Sequence, residues 1–272
     1  MNAIAIQSKK TRLSRELNAV VTIAARDILL AVKSPAGLIM SFVMPIVMMG
    51  MLGGSLAQNM TAGLNFNFGQ FMLVGMLINM LFMFTMQGLT SLVEDRQTDF
   101  TQEMLISPVS RYSIVIGKIF GSSFGGILGM VGTLIIGLVM GITLSPWQLL
   151  LILALSPLMC LSAGAFAMLI IGLIKSIKTA NMVVMVFAMS QMFLSGAIIP
   201  ITHSHGILLV LNRLMPMTYC LDLTRAVVYA GTPEYANVVL FNPVINCMAI
   251  VGLTILFLIV GTLGFVRSEK DR

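Results

Sequence analysis

The sequence predicts an all-α integral membrane protein. It has six transmembrane helices, an amphipathic interfacial helix before them, a short helix after the second span and an outer re-entrant helix pair before the sixth. Three observations predict it. Residues 36–57, 70–93, 119–144, 147–174, 179–202 and 243–266 contain no Asp, Glu, Lys or Arg, and each stretch holds 22 to 28 residues. A helix needs about 20 residues to cross the hydrocarbon of a bilayer. Charged residues make up 10 % of the chain and hydrophobic ones 58 %, whereas about a quarter of a soluble domain is charged. Finally, fourteen of the sixteen Lys and Arg fall in alternate gaps between the stretches.

That alternation sets an orientation, because basic residues are retained on the cytoplasmic side. Lys9, Lys10, Arg12, Arg15, Arg26 and Lys33 precede the first stretch, and Arg96, Arg111 and Lys118 follow the second. Lys175 and Lys178 follow the fourth, and Arg267, Lys270 and Arg272 follow the sixth. Only Arg213 and Arg225 lie in the opposite gaps. The expectation is a plasma (inner) membrane protein with both ends cytoplasmic: 1–35 as N-terminus and interfacial helix, 36–266 as the six-span domain, 267–272 as tail. The net charge of +6 is mostly this retention signal plus attraction to anionic lipid. No basic patch interleaved with aromatics points to nucleic acid.

Taken in order, the interfacial helix comes first. Leu17, Val20, Val21, Ala24, Ile28, Ala31 and Val32 share one face at helical spacing, with Glu16, Arg26, Asp27 and Lys33 off it. Ser34-Pro35 ends it, since proline disfavours helix at the residue before it. Span one carries Pro45, which frees a carbonyl and can kink the helix. Span two is rich in Met, including Met72, Met76, Met80, Met83 and Met86. Packing is the favoured reading, and a Met-lined path for apolar cargo the alternative. Span three has Gly121, Gly125 and Gly129 at every fourth position, which permits close helix approach. Trp147 opens span four at the expected headgroup level. Residues 201–242 are too interrupted for a seventh span. Their two short apolar runs, parted by Pro216, read as a re-entrant pair, which must be buried in protein or line a wet cavity.

Several chemistries have no residues to carry them. The six stretches hold no intramembrane carboxylate or base for ion coupling. There is no HExxH, no span Ser/Lys or Ser/His pair, and no GxxxxGK[ST] to cradle nucleotide phosphates. His203 and His205 read as loop histidines and the three cysteines as small apolar fillers. No metal or cofactor is expected in the chain.

The connection after span two is the largest inner one. Within it Phe100, Met104 and Leu105 form a short apolar face flanked by Glu94, Asp95, Asp99 and Glu103, and Ser107-Pro108 ends the helix. A small helix of this kind suits a groove on a soluble partner, and its acidic flanks argue against resting on an anionic leaflet.

Two runs carry a resemblance. One is Glu94, Arg96, Met104-Leu105-Ile106, Ser107-Pro108-Val109-Ser110-Arg111 and Gly117-Lys118; the other is Leu194-Ser195-Gly196, Pro200, Pro216-Met217-Thr218-Tyr219 and Arg225. With six spans and an outer re-entrant pair, the chain resembles the ABC-2 type permease family, the membrane subunits of ABC exporters. It departs from the family in two places. His205 or its neighbours stand where a second Pro is common, and Gln97-Thr98-Asp99 stands where Gly-Thr is usual.

The resemblance implies a half-transporter without an ATPase of its own. Two copies, or one copy with a homologous permease, would form the pore, with two ABC ATPase subunits beneath that use ATP and Mg. Residues 94–110 would be the coupling helix, with Glu94, Arg96, Phe100, Glu103, Met104, Leu105, Ser107, Pro108 and Arg111 at the ATPase contact. Arg26 of the interfacial helix, beside Asp27, would pair with Glu94 or Glu103. Ser195, Gly196, Pro200, Pro216, Tyr219 and Arg225 would shape the outer gate. The expected activity is outward transport of a hydrophobic or amphipathic compound, a drug or a lipid. A polysaccharide or lipid-linked glycan exporter is the runner-up, weakened by only 7 % aromatic residues. A non-transporting assembly or signalling protein is the alternative of another class.

Overall fold

A computed structural model of the chain describes residues 2–53, 66–97, 110–201 and 204–270. The side chains of 2–13, 52, 53, 96, 97, 266 and 268–270 lie outside that description. Among the described residues every long element is a helix.

Helix α1 (Asn2–Val32) ends where the sequence predicts. Ser34 Oγ then accepts from the Gly37 N–H at 3.4 Å and caps α2 (Pro35–Val47), with Pro35 in the first turn. Proline is tolerated there because that N–H would have no helical partner. The two helices meet at 79°. Pro45 cannot donate to the Ser41 carbonyl, and three residues on the helix widens into a π-turn, Met48–Gly53.

Helix α3 (Phe68–Gly88) is nearly continuous with α4 (Ser91–Gln97). Then come α5 (Arg111–Val139), α6 (Pro146–Ile171) and α7 (Ile177–Leu194). The short helices α8 (Ile207–Leu214) and α9 (Pro216–Val228) are bent by 77° at Pro216. One turn, α10 (Tyr235–Val238), leads into α11 (Pro243–Lys270). Among the described residues, five runs are long and apolar enough to cross a membrane: 68–95, 111–139, 146–171, 177–194 and 235–265. The pairs α1–α2 and α8–α9 qualify only as bent pairs. The chain is a multi-pass helical membrane protein.

Helix α3 is the axis. Of its most apolar window 78 % is buried, against 22 % for the run that contains α11. Met72, Met76, Met80 and Met86 are buried among α5, α6, α7 and α9, so these methionines pack the core. Helix α5 is the second hub, packed on α3, α1 and α2. Its glycines make the approach possible. A Cβ on Gly126 would stand 2.7 Å from the Leu81 carbonyl of α3, and one on Gly121 would stand 2.6 Å from Asp27 Cβ of α1.

One expectation needs correction. Helix α5 begins at Arg111 rather than at residue 119, with Lys118 buried inside it. A charge ends a span only when it lacks a partner, and Lys118 has two. The side of helix α1 turned away from the protein is apolar. Leu17, Val21, Leu29, Leu30 and Val32 are exposed, while Asp27 is turned inward. Apolar side chains lose nothing against lipid, whereas a carboxylate needs a partner, and the bundle holds one.

Candidate functional site

Two polar junctions stand at the ends of the bundle. The first joins α1, α4 and α5. Lys118 is 1 % exposed. Its ammonium lies 3.0 Å from Asp27 Oδ2, is also paired with Asp95 Oδ2, and faces Ser91 Oγ at 3.4 Å. Arg26 reaches the same Asp95 with both guanidinium nitrogens, donating to Oδ1 at 3.1 Å and Oδ2 at 3.3 Å. It also sits 3.4 Å from Asp27 Oδ1. Two cations thus share two aspartates across three helices. The fork of Arg26 onto one carboxylate is the strong, oriented form of such a bond. Its hydrogen bond with Asp95 raises the Arg26 guanidinium above its ordinary value. Burial pushes the Asp27 carboxyl up, and Lys118 pulls it back.

A second tie lies about three turns back along α1. The Ser110 N–H donates to both Glu16 carboxylate oxygens, at 2.9 and 3.1 Å. Ser110 is the N-cap of α5, so Glu16 also places negative charge at the positive end of that helix. The segment expected to dock a partner, 94–110, is therefore tied to α1 near both its ends, through Asp95 and through Ser110.

Most residues expected at that contact fall on the segment itself. Phe100, Glu103, Met104, Leu105, Ser107 and Pro108 lie outside the described residues, as does the side chain of Arg96. Glu94 is exposed on α4, and Arg111 is exposed at the start of α5. The expected partner of Arg26 was Glu94 or Glu103. The structure shows Arg26 on Asp95, the neighbour of Glu94. Position 95 faces the bundle and is buried; position 94 faces outward.

The second junction closes the far end. Helix α7 stops at Ser195, whose N–H bonds back to the Gln191 carbonyl. Gly196 follows with φ +80°, a conformation suited to glycine. The next residue, Ala197, carries its carbonyl onto Gly75 of α3, where no side chain would fit. Arg225 of α9 is 2 % exposed. It donates to the Gly196 carbonyl at 2.7 Å, and its guanidinium lies 3.7 Å from the Phe71 ring centroid. Asp222, one turn earlier, accepts from the Leu240 N–H at 2.7 Å, the Phe241 N–H at 2.9 Å and Asn246 Nδ2 at 2.8 Å. Pro216 is buried at the head of α9, and Pro200 is half-buried after the turn. Tyr219 stacks on Phe241 and donates to the Arg213 carbonyl at 2.9 Å. Of the expected gate residues, Gly196 and Arg225 touch directly, and Ser195 adjoins them.

Sequence reasoning misses Glu16, Asp95 and Lys118 at the first junction, and Asp222 and Asn246 at the second. Signals were present. Lys118 lies between Gly117 and Gly121, on the helix face that admits α1. Asp222 stands one turn before Arg225 on an otherwise apolar helix.

Residues 18–229 match the sequence model of the ABC-2 type transporter family. The chain belongs to that family. The match takes in Arg26, Asp27, Asp95 and Lys118 of the first junction, and Asp222 and Arg225 of the second; Glu16 and Asn246 fall outside it. The chain is also similar to the "Putative transport permease ycf38" of Cyanophora paradoxa, at 25 % identity over 198 residues. These cover 71 % of this chain and 68 % of that protein. ABC-2 proteins are membrane permeases that work with an ABC ATPase partner.

Proposed function

We propose that this chain is the permease subunit of an ATP-driven exporter of a hydrophobic or amphipathic compound, a drug or a lipid. It works in the inner membrane with both ends cytoplasmic and six spans, the first running from α2 beyond the π-turn. Two such permeases form the path, as a homodimer or with a homologous chain. Two separate ABC ATPase subunits bind ATP and Mg and grip residues 94–110 as the coupling helix. The observation that carries this reading is the double tie of α1 across that segment. A push on 98–109 reaches α1 through Asp95 and through Ser110, and reaches α5 through Lys118. The bend at Pro35 then passes it to α2. At the far end the Arg225–Gly196 contact supports a gate between α9 and the end of α7.

The test is reconstitution with the ATPase. Met104→Asp with Leu105→Asp places two charges on the apolar docking face. The variant is expected to insert normally but to lose ATPase recovery on co-purification, and to lose ATP-driven export. Export at the unaltered rate by that variant, or by the chain with no ATPase present, overturns the proposal.

A further inference from the structure

The bend between α1 and α2 leaves a space over α5. Helix α1 closes on α5 at Gly121, where a Cβ would stand 2.6 Å from Asp27 Cβ. Helix α2 closes on it at Gly132, where a Cβ would stand 3.1 Å from the Ser41 carbonyl oxygen. Between these two clasps Gly125 is open: a Cβ there would meet only Phe84 Cβ, at 3.8 Å. A cavity of about 660 Å³ lies in this gap, with α3 and α5 as its floor. Sites for small molecules measure about 300–1,000 Å³. The helix from 121 to 132 is about 16 Å long, and half the hydrocarbon of a bilayer is about 15 Å deep.

The polar groups that line the cavity are already engaged by protein. Ser34 Oγ accepts from the Gly37 N–H, and Ser41 Oγ donates to the Gly37 carbonyl. Ser122 Oγ donates to the Ile119 carbonyl, Gln87 Nε2 donates to Asn181 Oδ1, and Ser91 Oγ accepts from Lys118. Arg26, Asp27, Asp95 and Lys118 pair with one another at the inner end, and Glu94 is not free either. Polar groups that have partners need none from a ligand. The surface left unmatched is apolar: Leu30, Leu38, Met40, Phe84, Phe124 and Leu128. Apart from Glu94, the exposed part of the lining is on α1 and α2, at Leu30, Ser34, Gly37 and Met40. The mouth therefore lies in the angle of those two helices. Leu29, Leu30 and Val32 are exposed on α1 and seat that helix in the inner membrane surface, so the angle opens onto the inner leaflet.

We propose that this cavity holds one acyl chain of an inner-leaflet phospholipid, with the head left outside at the level of α1 and the chain end between Phe84, Phe124 and Leu128. The leaflet presents chains of matching depth at the mouth, and the lining has no free charge to choose among heads. Selection is therefore by chain. A seated chain fills the angle between α1 and α2, the corner through which the proposed coupling passes. Its placement in the inner leaflet rests on the topology proposed above, whereas the site itself needs no ATPase.

The experiment uses the full chain in phosphatidylcholine nanodiscs doped with phosphatidylcholine that carries a diazirine near the end of one acyl chain. Crosslinks are mapped by mass spectrometry. They are expected on Phe84, Phe124 and Leu128, in addition to those on the exposed side of α11 at Leu256, Ile259 and Leu263. Gly125→Leu fills the apolar end and should lower the cavity labels about tenfold, as overpacking of that order does, while the α11 labels stay. Leu128→Trp fills the same end from another position and should act alike, so a folding defect in one variant does not decide the result. Phosphatidylglycerol nanodiscs should give the same pattern. Met104→Asp with Leu105→Asp should label as the unaltered chain does, so loss of coupling and loss of this site are read apart. Labels confined to lipid-facing sides such as that of α11, cavity labels that persist in both filling variants, or a pattern that changes with the head overturn the proposal.

Discussion

At the α1–α4–α5 junction each buried charge is met by the side chain of another helix, whereas at the α9 junction the buried charges are met largely by backbone. Lys118, Arg26, Asp27 and Asp95 satisfy one another, beside a cavity of about 660 Å³. Asp222 instead accepts two backbone N–H groups, and Arg225 donates to a backbone carbonyl while stacking on Phe71. Side-chain ion pairs can exchange partners when helices shift by a turn or less, because two cations already share two aspartates. A carboxylate that accepts two consecutive amides has one geometry. The first junction is suited to transmitting movement and the second to resisting it.

The sharpest way to break the comparison is Lys118→Met. It leaves Asp27 and Asp95 buried without the ammonium they share. Removing one member of a buried pair costs about 3–5 kcal/mol. The thermal unfolding midpoint in nanodiscs should fall steeply, and adding Asp27→Asn and Asp95→Asn to Lys118→Met should recover most of it. Recovery identifies uncompensated charge as the cause. A midpoint that stays low in the triple variant means that Lys118 matters for its packing, and the comparison fails on this side.

At the other junction the expected effect is smaller and local. Asp222→Ala strands two amides and the Asn246 amide group, at a cost of about 3 kcal/mol, since hydrogen bonds to a charged group contribute about 1.5–3 kcal/mol each and solvent recovers part. Asp222→Asn keeps one acceptor oxygen and should cost about half as much. Cys220, fully buried two residues before Asp222, reports on it. Its maleimide labelling, followed by peptide mass spectrometry, should accelerate in Asp222→Ala and much less in Asp222→Asn. Unchanged labelling would mean that α9 is held by its apolar face alone.

The membrane character, the helix order and the break at Ser34-Pro35 were legible because each rests on composition or on the backbone chemistry of proline. Gly196 and Arg225 were legible as parts of one motif, though only the structure shows them in contact. The ion-paired junction was not legible. Charges near span ends look alike in sequence whether they face water or a partner, so Lys118 reads as a loop residue and Asp95 as a flank. The side that α1 turns to the protein was not legible either. An amphipathic pattern tells which side is apolar but not whether protein or lipid lies against it, and in a membrane both are apolar. Only the inward Asp27 distinguishes them, and its buried partner, Lys118, comes from 91 residues further along the chain.

The smallest effect separates close packing from open space on a single helix. Gly121 and Gly125 lie one turn apart on α5. A methyl group on Gly121 would stand 2.6 Å from Asp27 Cβ, which is carried by the backbone of α1 and cannot swing aside. Gly121→Ala must push α1 away and stretch the Lys118–Asp27 pair, so a loss of about 1–3 kcal/mol is expected from overpacking. A methyl group on Gly125 meets only Phe84 Cβ at 3.8 Å. There the helix propensity of alanine is unopposed, and Gly125→Ala should stabilise the protein by about 0.5–1 kcal/mol. Two identical substitutions one turn apart should therefore move the unfolding midpoint in opposite directions. If both raise it, α1 is free to yield at Asp27, and the junction that ties α1 to α5 is looser than its ion pairs imply.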